Sequence, residues 1–259
     1  CPSHTNHLPQ RVIKWSTYFC KTAGVQRQRF KCRHCNTTVS ETYASVAYWQ
    51  HSHVDLETVA TLHTNGESIR AIGKTLGISP QTVNRKLAIL GRNAAALHSQ
   101  VAQTATLAED LVVDGFESFI VSQYFPTNIH LLVGKGSQFV YAFNHAILRR
   151  KGKMTEQQKK RRAELDAIDR PDPKELRNRF DDIVRRVIRY ANRSGCPVTL
   201  WSDEHPVYAR AATSTDDAKL WIRHKTISGK KHRDRHNGLF AANYMDREIR
   251  KDLAEFHRE

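Results

Sequence analysis

The sequence contains no apolar run approaching the ~18–20 residues that a membrane-spanning helix needs, and its first residues do not read as a signal peptide. It carries no amphipathic basic helix with a strong apolar face, so a membrane is not an expected partner. It has neither a Gly-x-Gly-x-x-Gly run nor a Walker lysine, which argues against nicotinamide and ATP chemistry. There is no initiating methionine: the chain begins at Cys1, as a fragment or a processed product would. Acid is scarce, with 26 Asp and Glu against 41 Lys and Arg and a formal net charge of +15. The five cysteines are an odd number, and four fall within the first 35 residues, which excludes a secreted disulfide framework and fits a reducing cytoplasm.

What is present narrows the class further. A hydrophobic content of 39% with 8% aromatic residues excludes a wholly disordered chain, and 259 residues suffice for one large domain and a smaller one. The positive excess points to a polyanion, nucleic acid before membrane surface.

Residues 1–42 are rich in Cys, His and basic side chains. "GVQRQRFKCRHCNTTVS" alternates like a short hairpin with Cys32 and Cys35 at its turn. One Cys-x-x-Cys suits a redox pair or two unrelated thiols, but the basic neighbours and the upstream Cys1 and His4 favour a zinc ribbon held by Zn²⁺ rather than by a core. Cys1, His4, Cys32 and Cys35 are the expected ligands. The fourth position is open between His4, Cys20 and a cysteine upstream of residue 1.

Residues 52–95 carry helical spacing broken at two places. A helix over about Leu56 to Thr64 stops at Asn65 and Gly66, and a second from about Ser68 to Leu76 stops at Gly77. Ser79 then caps a third helix with Pro80 at its first position, where a missing N–H costs nothing. Ile69, Ile72, Leu76, Ile78, Val83 and Leu87 form the expected interior. This is the helix-turn-helix pattern, with Gln81, Thr82, Asn84, Arg85 and Lys86 as the outward face of a recognition helix that meets double-stranded DNA. Residues 93–108 read as a connecting helix or linker.

From residue 108 to 259 the composition changes to strands. "LVVD", "NIHLLVG" and "QFVYAFNHAIL" form a meander, followed by a charged helical insertion over about 149–193. Within it, Leu176, Phe180, Ile183, Val184, Val187 and Ile188 mark an amphipathic helix. "CPVTLWSDEHPVY" then gives a buried strand ending at Asp203, a basic loop from His224 to His236, and a last helix from about Asn243.

That order, strand, hairpin, helix, strand, helix, is the order of an RNase H-like α/β domain with a mixed sheet, in which the first and fourth strands are neighbours. Asp114 and Asp203 end apolar runs on those two strands, so their carboxylates are expected side by side. A divalent cation relieves their repulsion, and Mg²⁺ suits an oxygen-only, open site. Two such ions ~3.5–4 Å apart could activate a nucleophile and steady a leaving oxygen in phosphoryl transfer. Glu117 and His205 read as turn or strand-end residues. His224, Lys225, Lys230, Lys231, His232, Arg233 and Arg235 are expected to line a DNA path electrostatically.

The Cys-x-x-Cys ribbon, the helix-turn-helix, "VDGFESF", "WSDEHPVY" and "GLFAANYMDREIRKDLAEFHRE" together resemble bacterial insertion-sequence transposases of the DDE, RNase H-like type, over nearly the whole chain. The resemblance implies cutting at transposon ends and strand transfer to target DNA, with Mg²⁺ or Mn²⁺. It also implies a homo-oligomeric synaptic complex in a nucleoid-associated, cytoplasmic setting. Asp114 and Asp203 match the first two acids of that motif. The third is expected from the last helix: Asp246, with Asn243 and Glu248 as alternates. The rival expectation is a catalytically inactive, transposase-derived DNA-binding regulator, and a weaker one is a host nuclease on the same scaffold.

Overall fold

The strand pattern Val12–Cys20 (β1) and Val25–Cys32 (β2) pairs as an antiparallel hairpin, and Thr38–Ser40 (β3) joins along β2. The structure is a computed structural model that describes residues 12–21, 23–43, 45–46, 48, 54–120, 122–232 and 234–256. Two units divide the chain, Cys1–His98 and Ser99–Glu259. Among the strand residues of the first sheet Cys32 alone is buried, so these strands have almost no apolar interior of their own.

The first unit also holds helices α1 (Leu56–Thr64), α2 (Ile69–Leu76) and the start of α3 (Pro80–Thr104). Each begins where a side chain can satisfy the orphan amides of the first turn. Asp55 accepts from the amides of Glu57 and Thr58, Ser68 from Ala71, and Ser79 from Thr82. Gly77 ends α2 at φ +65°, a left-handed conformation that disfavours any other residue. Val59, Ile72 and Val83 are fully buried at the shared centre, with Leu62, Ile69, Leu76, Ile78 and Leu87 packed around them. Helix α3 runs on without a break to Thr104, through the segment expected as a linker. Its Ala, Gln and Leu content sustains a helix without needing a buried face.

The second unit is built on a five-stranded mixed sheet in the order β6-β5-β4-β7-β8. Its strands are β4 (Leu111–Phe119), β5 (Pro126–Gly134), β6 (Val140–Ile147), β7 (Val198–Asp203) and β8 (Ile222–Ile227). The first three form an antiparallel meander, while β4 with β7 and β7 with β8 are parallel. The first and fourth strands of this unit are therefore neighbours, as the element order predicts.

Helix α4 (Glu156–Ile168) has no buried residue, and Arg149 ties it back through Asp166 at 2.6 Å. Helix α5 (Glu175–Ser194) lays Phe180, Ile183, Val184 and Val187 on one face of the sheet, against Leu111, Val113, Leu132 and Leu200. Short helices α6 (Pro206–Ala211) and α7 (Asp216–Trp221) follow β7. Helix α8 (Phe240–Asp252) covers the opposite face, where Ala241, Ala242, Met245 and Ile249 meet Val112, Phe116, Leu131 and Val133.

Three features differ from expectation. Strand β4 does not stop at Asp114 but continues to Phe119, because β5 goes on pairing with it. Glu117 is thus a strand residue opposite Asn128, not a turn acid. His224 and Lys225 lie in β8 rather than in a loop. That strand closes the sheet edge with exposed Arg223 and Lys225, and an edge strand so charged hides its own periodicity. Among the described residues no helix is long and apolar enough to cross a membrane.

Phe180 is fully buried and stacks on Tyr208 with ring centroids 4.1 Å apart. Phe180→Ala is expected to cost about 3–5 kcal/mol, read as a lower midpoint in urea unfolding of the full chain.

Candidate functional site

Strands β4 and β7 pair only at Leu111 with Leu200 and Val112 with Trp201. The same offset carried two residues further brings Asp114 level with Asp203. Beyond Val112 each strand pairs only on its other side, β4 with β5 and β7 with β8. A gap therefore opens at the carboxyl end of β7, between the two strands where the chain crosses from one side of the sheet to the other. Open α/β sheets characteristically bind ligands at such a crossing.

Strand alternation puts Asp114 on the same face as Val112 and Phe116, and Asp203 on the same face as Trp201. Both carboxylates thus belong to the α8 face. Each is steadied by a backbone amide close by: Gly115 N–H donates to Asp114 Oδ1 at 2.8 Å, and His205 N–H donates to Asp203 Oδ1 at 3.0 Å. Beneath Asp203, the Ser202 hydroxyl donates to the Asp203 carbonyl and lies 2.8 Å from His224 Nε2. Burial pushes the His224 imidazole below its ordinary pKa. His224 therefore supports β7 through its contact with Ser202.

The other face carries a buried polar group of residues. His130 is fully buried in β5 opposite Gly115, with its Nδ1 2.9 Å from Asn144 Oδ1. The Asn144 amide donates to the Arg179 carbonyl at 2.6 Å, which turns Oδ1 towards the ring and makes Nδ1 the donor. His130 Nε2 and Asn128 Oδ1 are buried and unpartnered. Burial lowers the His130 pKa, and His205 adds to that effect. Tyr208, 4% exposed, stands beside them on α6. Burial first, then the carboxylates of Asp114, Asp203 and Glu117, push its pKa well above the ordinary tyrosine range, so the phenol stays protonated. Tyr208 did not stand out in the sequence, because a tyrosine five residues after an aspartate is no motif without the helix that turns it back.

Helix α8 does not bring a third acid to the pair in a ready state. Asp246 is held by Arg250, Oδ1 to Nε at 2.7 Å. Arg250 also donates to the Glu117 carbonyl at 3.1 Å and lies over the Phe116 ring at 4.9 Å, so it fastens α8 to β4. Asn243, one turn before, spends its Nδ2 on the Leu239 carbonyl. Glu248 pairs with Arg247 and Lys251 on another side of the helix. Among the described residues, no three His, Cys, Asp or Glu side chains come together as a metal-holding group. Asp114 and Asp203 offer carboxylate oxygens of the kind a hard divalent cation takes.

In the first unit, Cys32 is buried at the end of β2 and Cys35 sits in the turn that follows, with Asn36 in a left-handed conformation. The Cys35 thiol lies 3.3 Å from the Thr37 hydroxyl, and the side chain and amide of Thr37 lower its pKa to about 7. Two thiols so placed suit a soft cation. Cys20 cannot join them: it pairs with Val25, seven residues from Cys32 along β2, or roughly 23 Å at the rise of a strand. Cys1 and His4 lie outside the described residues.

On α3, Gln81, Asn84 and Arg85 are exposed as expected, and Thr82 is partly covered at the Ser79 cap. Lys86 is buried instead, because it lies three residues after Val83 and shares its face. Burial lowers the pKa of that lysine. Lys230, Lys231, His232 and Arg235 are exposed in the loop before α8, whereas Arg233 lies outside the described residues.

Comparisons with known proteins fit this picture for the first unit. Residues 52–88 match the helix-turn-helix domain family, and the chain contains such a domain. No curated protein matches the chain. Among solved structures, the chain is similar to one in the crystal structure of the Mos1 strand transfer complex, at 13% identity with a TM-score of 0.27. The match covers 68% of this chain and 58% of that one, so the chain spans less than two thirds of that relative's length.

If Arg250 is the anchor of α8, Asp246 and Arg250 should couple. A double-mutant cycle with Asp246→Ala and Arg250→Ala, read by urea unfolding, is expected to give about 1 kcal/mol of coupling.

Proposed function

We propose that the chain is a DNA transposase of the DDE type, with an RNase H-like catalytic unit. The observation that supports this reading is the pairing of β4 with β7, the neighbouring strands that carry Asp114 and Asp203, in a chain of net charge +15 that also holds a helix-turn-helix domain. The strand order β6-β5-β4-β7-β8 supports the RNase H-like assignment. In this reading Gln81, Asn84 and Arg85 meet transposon-end DNA, and the exposed Lys230 and Lys231 attract the phosphate backbone. Thr82, Lys86 and Arg233 complete the set expected from sequence, with Lys86 in a supporting place.

Asp114 and Asp203 would hold Mg²⁺ or Mn²⁺, with Asp246, or Asn243 or Glu248, as the third ligand. When bound, such an ion supplies Lewis-acid activation of a water or a 3′-hydroxyl and neutralises phosphate charge. The backbone amides at Gly115 and His205 orient the two carboxylates. Asp246 contributes only after Arg250 releases it, and phosphate oxygens are the natural new partner for that guanidinium. Cys32 and Cys35, with Cys1 and His4, would hold Zn²⁺ and so fold the first sheet. Target DNA, a homo-oligomeric synaptic complex and a nucleoid-associated, cytoplasmic setting complete the proposal.

The closed Asp246–Arg250 pair favours one second reading, a transposase-derived DNA-binding regulator without activity. Cleavage and strand joining on terminal inverted repeats with Mg²⁺ or Mn²⁺ separate the two. The transposase reading expects activity in the wild type and a loss of at least about 10³-fold in Asp203→Ala. Equal products from both proteins, or none from either, would contradict it.

A further inference from the structure

Past Val112 and Trp201 no ladder bond joins β4 to β7, so the backbone alone does not set how far Asp114 stands from Asp203. The Tyr208 side chain reaches from the β7 side to β4. Asp203 accepts from the His205 amide, and this turn opens α6, whose first turn is capped by the His205 ring accepting from Val207 N–H at 3.3 Å. Tyr208 follows on that helix and points back at β4. A Cβ built on Gly115 would lie 2.8 Å from the Tyr208 hydroxyl and 2.3 Å from Asn128 Oδ1. The glycine after Asp114 is thus the place where the phenol rests.

The ring itself has little freedom. It stacks on Phe180 at 4.1 Å and 22°, meets the edge of His130 at 5.9 Å and leans on His205 at 5.2 Å. A rigid group rooted five residues from one aspartate therefore ends against the neighbour of the other. We infer that Tyr208 is a positioning residue, a strut whose hydroxyl against Gly115 sets the spacing of the Asp114 and Asp203 carboxylates and thereby their affinity for a divalent cation. The inference rests on the carboxylate-pair reading given above. It explains why a phenol, rather than a phenyl ring, is buried at a spot where two acceptors, Asn128 Oδ1 and His130 Nε2, lack donors. Either acceptor could accept a hydrogen bond from the phenol through a water and so fix the hydroxyl near the β4 backbone.

The test uses the full chain and Mn²⁺ alone, with binding read by electron paramagnetic resonance of the free ion. Tyr208→Phe keeps the stacked ring and removes only the oxygen. Groups that orient metal ligands typically govern affinity 10–100-fold, so Mn²⁺ binding should weaken by about 10-fold or more, while the thermal unfolding midpoint stays near that of the wild type. Wild-type Mn²⁺ affinity in Tyr208→Phe, alongside lost binding in Asp203→Asn, would overturn the strut and leave the carboxylate pair standing. Undiminished binding in Asp203→Asn would overturn the carboxylate pair itself, and the strut with it. If Tyr208→Phe does not fold, 3-fluorotyrosine placed at 208 gives the same answer. Its fluorine resonance should shift on adding Mg²⁺, and a stationary resonance would count against the strut.

Discussion

Two parallel strands pair for two residues and then part company at the middle of the second unit's sheet. The short Leu111–Leu200 and Val112–Trp201 ladder is enough to fix the register of β4 against β7, and its early end leaves room for charge. Two carboxylates fully inside a sheet would be expensive. At the parting they remain partly exposed, each accepting an amide hydrogen bond, and the apolar residues just behind them anchor both strands in the core. On the proposed reading, the sheet would hold these two acids in place with hydrophobic energy collected elsewhere.

The two faces of the sheet divide the work. On one, Phe180 of α5 stacks on Tyr208 of α6, and His130 of β5 meets both rings edge-on. On the other, α8 is fastened to β4 by Arg250, whose guanidinium reaches the Glu117 carbonyl, the Phe116 ring and Asp246 together. In that arrangement Asp246 is paired with arginine, and on the proposed reading a polyanion at the gap would compete for the same guanidinium.

Much of this was legible in the sequence, for identifiable reasons. The helix-turn-helix could be read because its punctuation, Asn65-Gly66, Gly77 and Ser79 before Pro80, acts locally and needs no tertiary context. The neighbourhood of β4 and β7 followed from element order, since a helical crossover after a meander returns the chain beside its first strand. What stayed hidden depended on long-range contacts or on edges. Strand β8 is charged because it is an edge, Lys86 turns inward by spacing alone, and the extent of β4 past Asp114 is decided by β5. The Tyr208 contact with Gly115 joins residues far apart in the chain, and the pairing of Asp246 with Arg250 depends on where α8 lands. Neither leaves a mark in periodicity.

We propose that Asp114 and Asp203 form one divalent-cation site. Anomalous diffraction at the manganese edge, from crystals of the chain soaked in Mn²⁺, tests it most directly. The account predicts a peak within about 2.2 Å of a carboxylate oxygen from each aspartate. Manganese bound elsewhere with none between these two residues would contradict it.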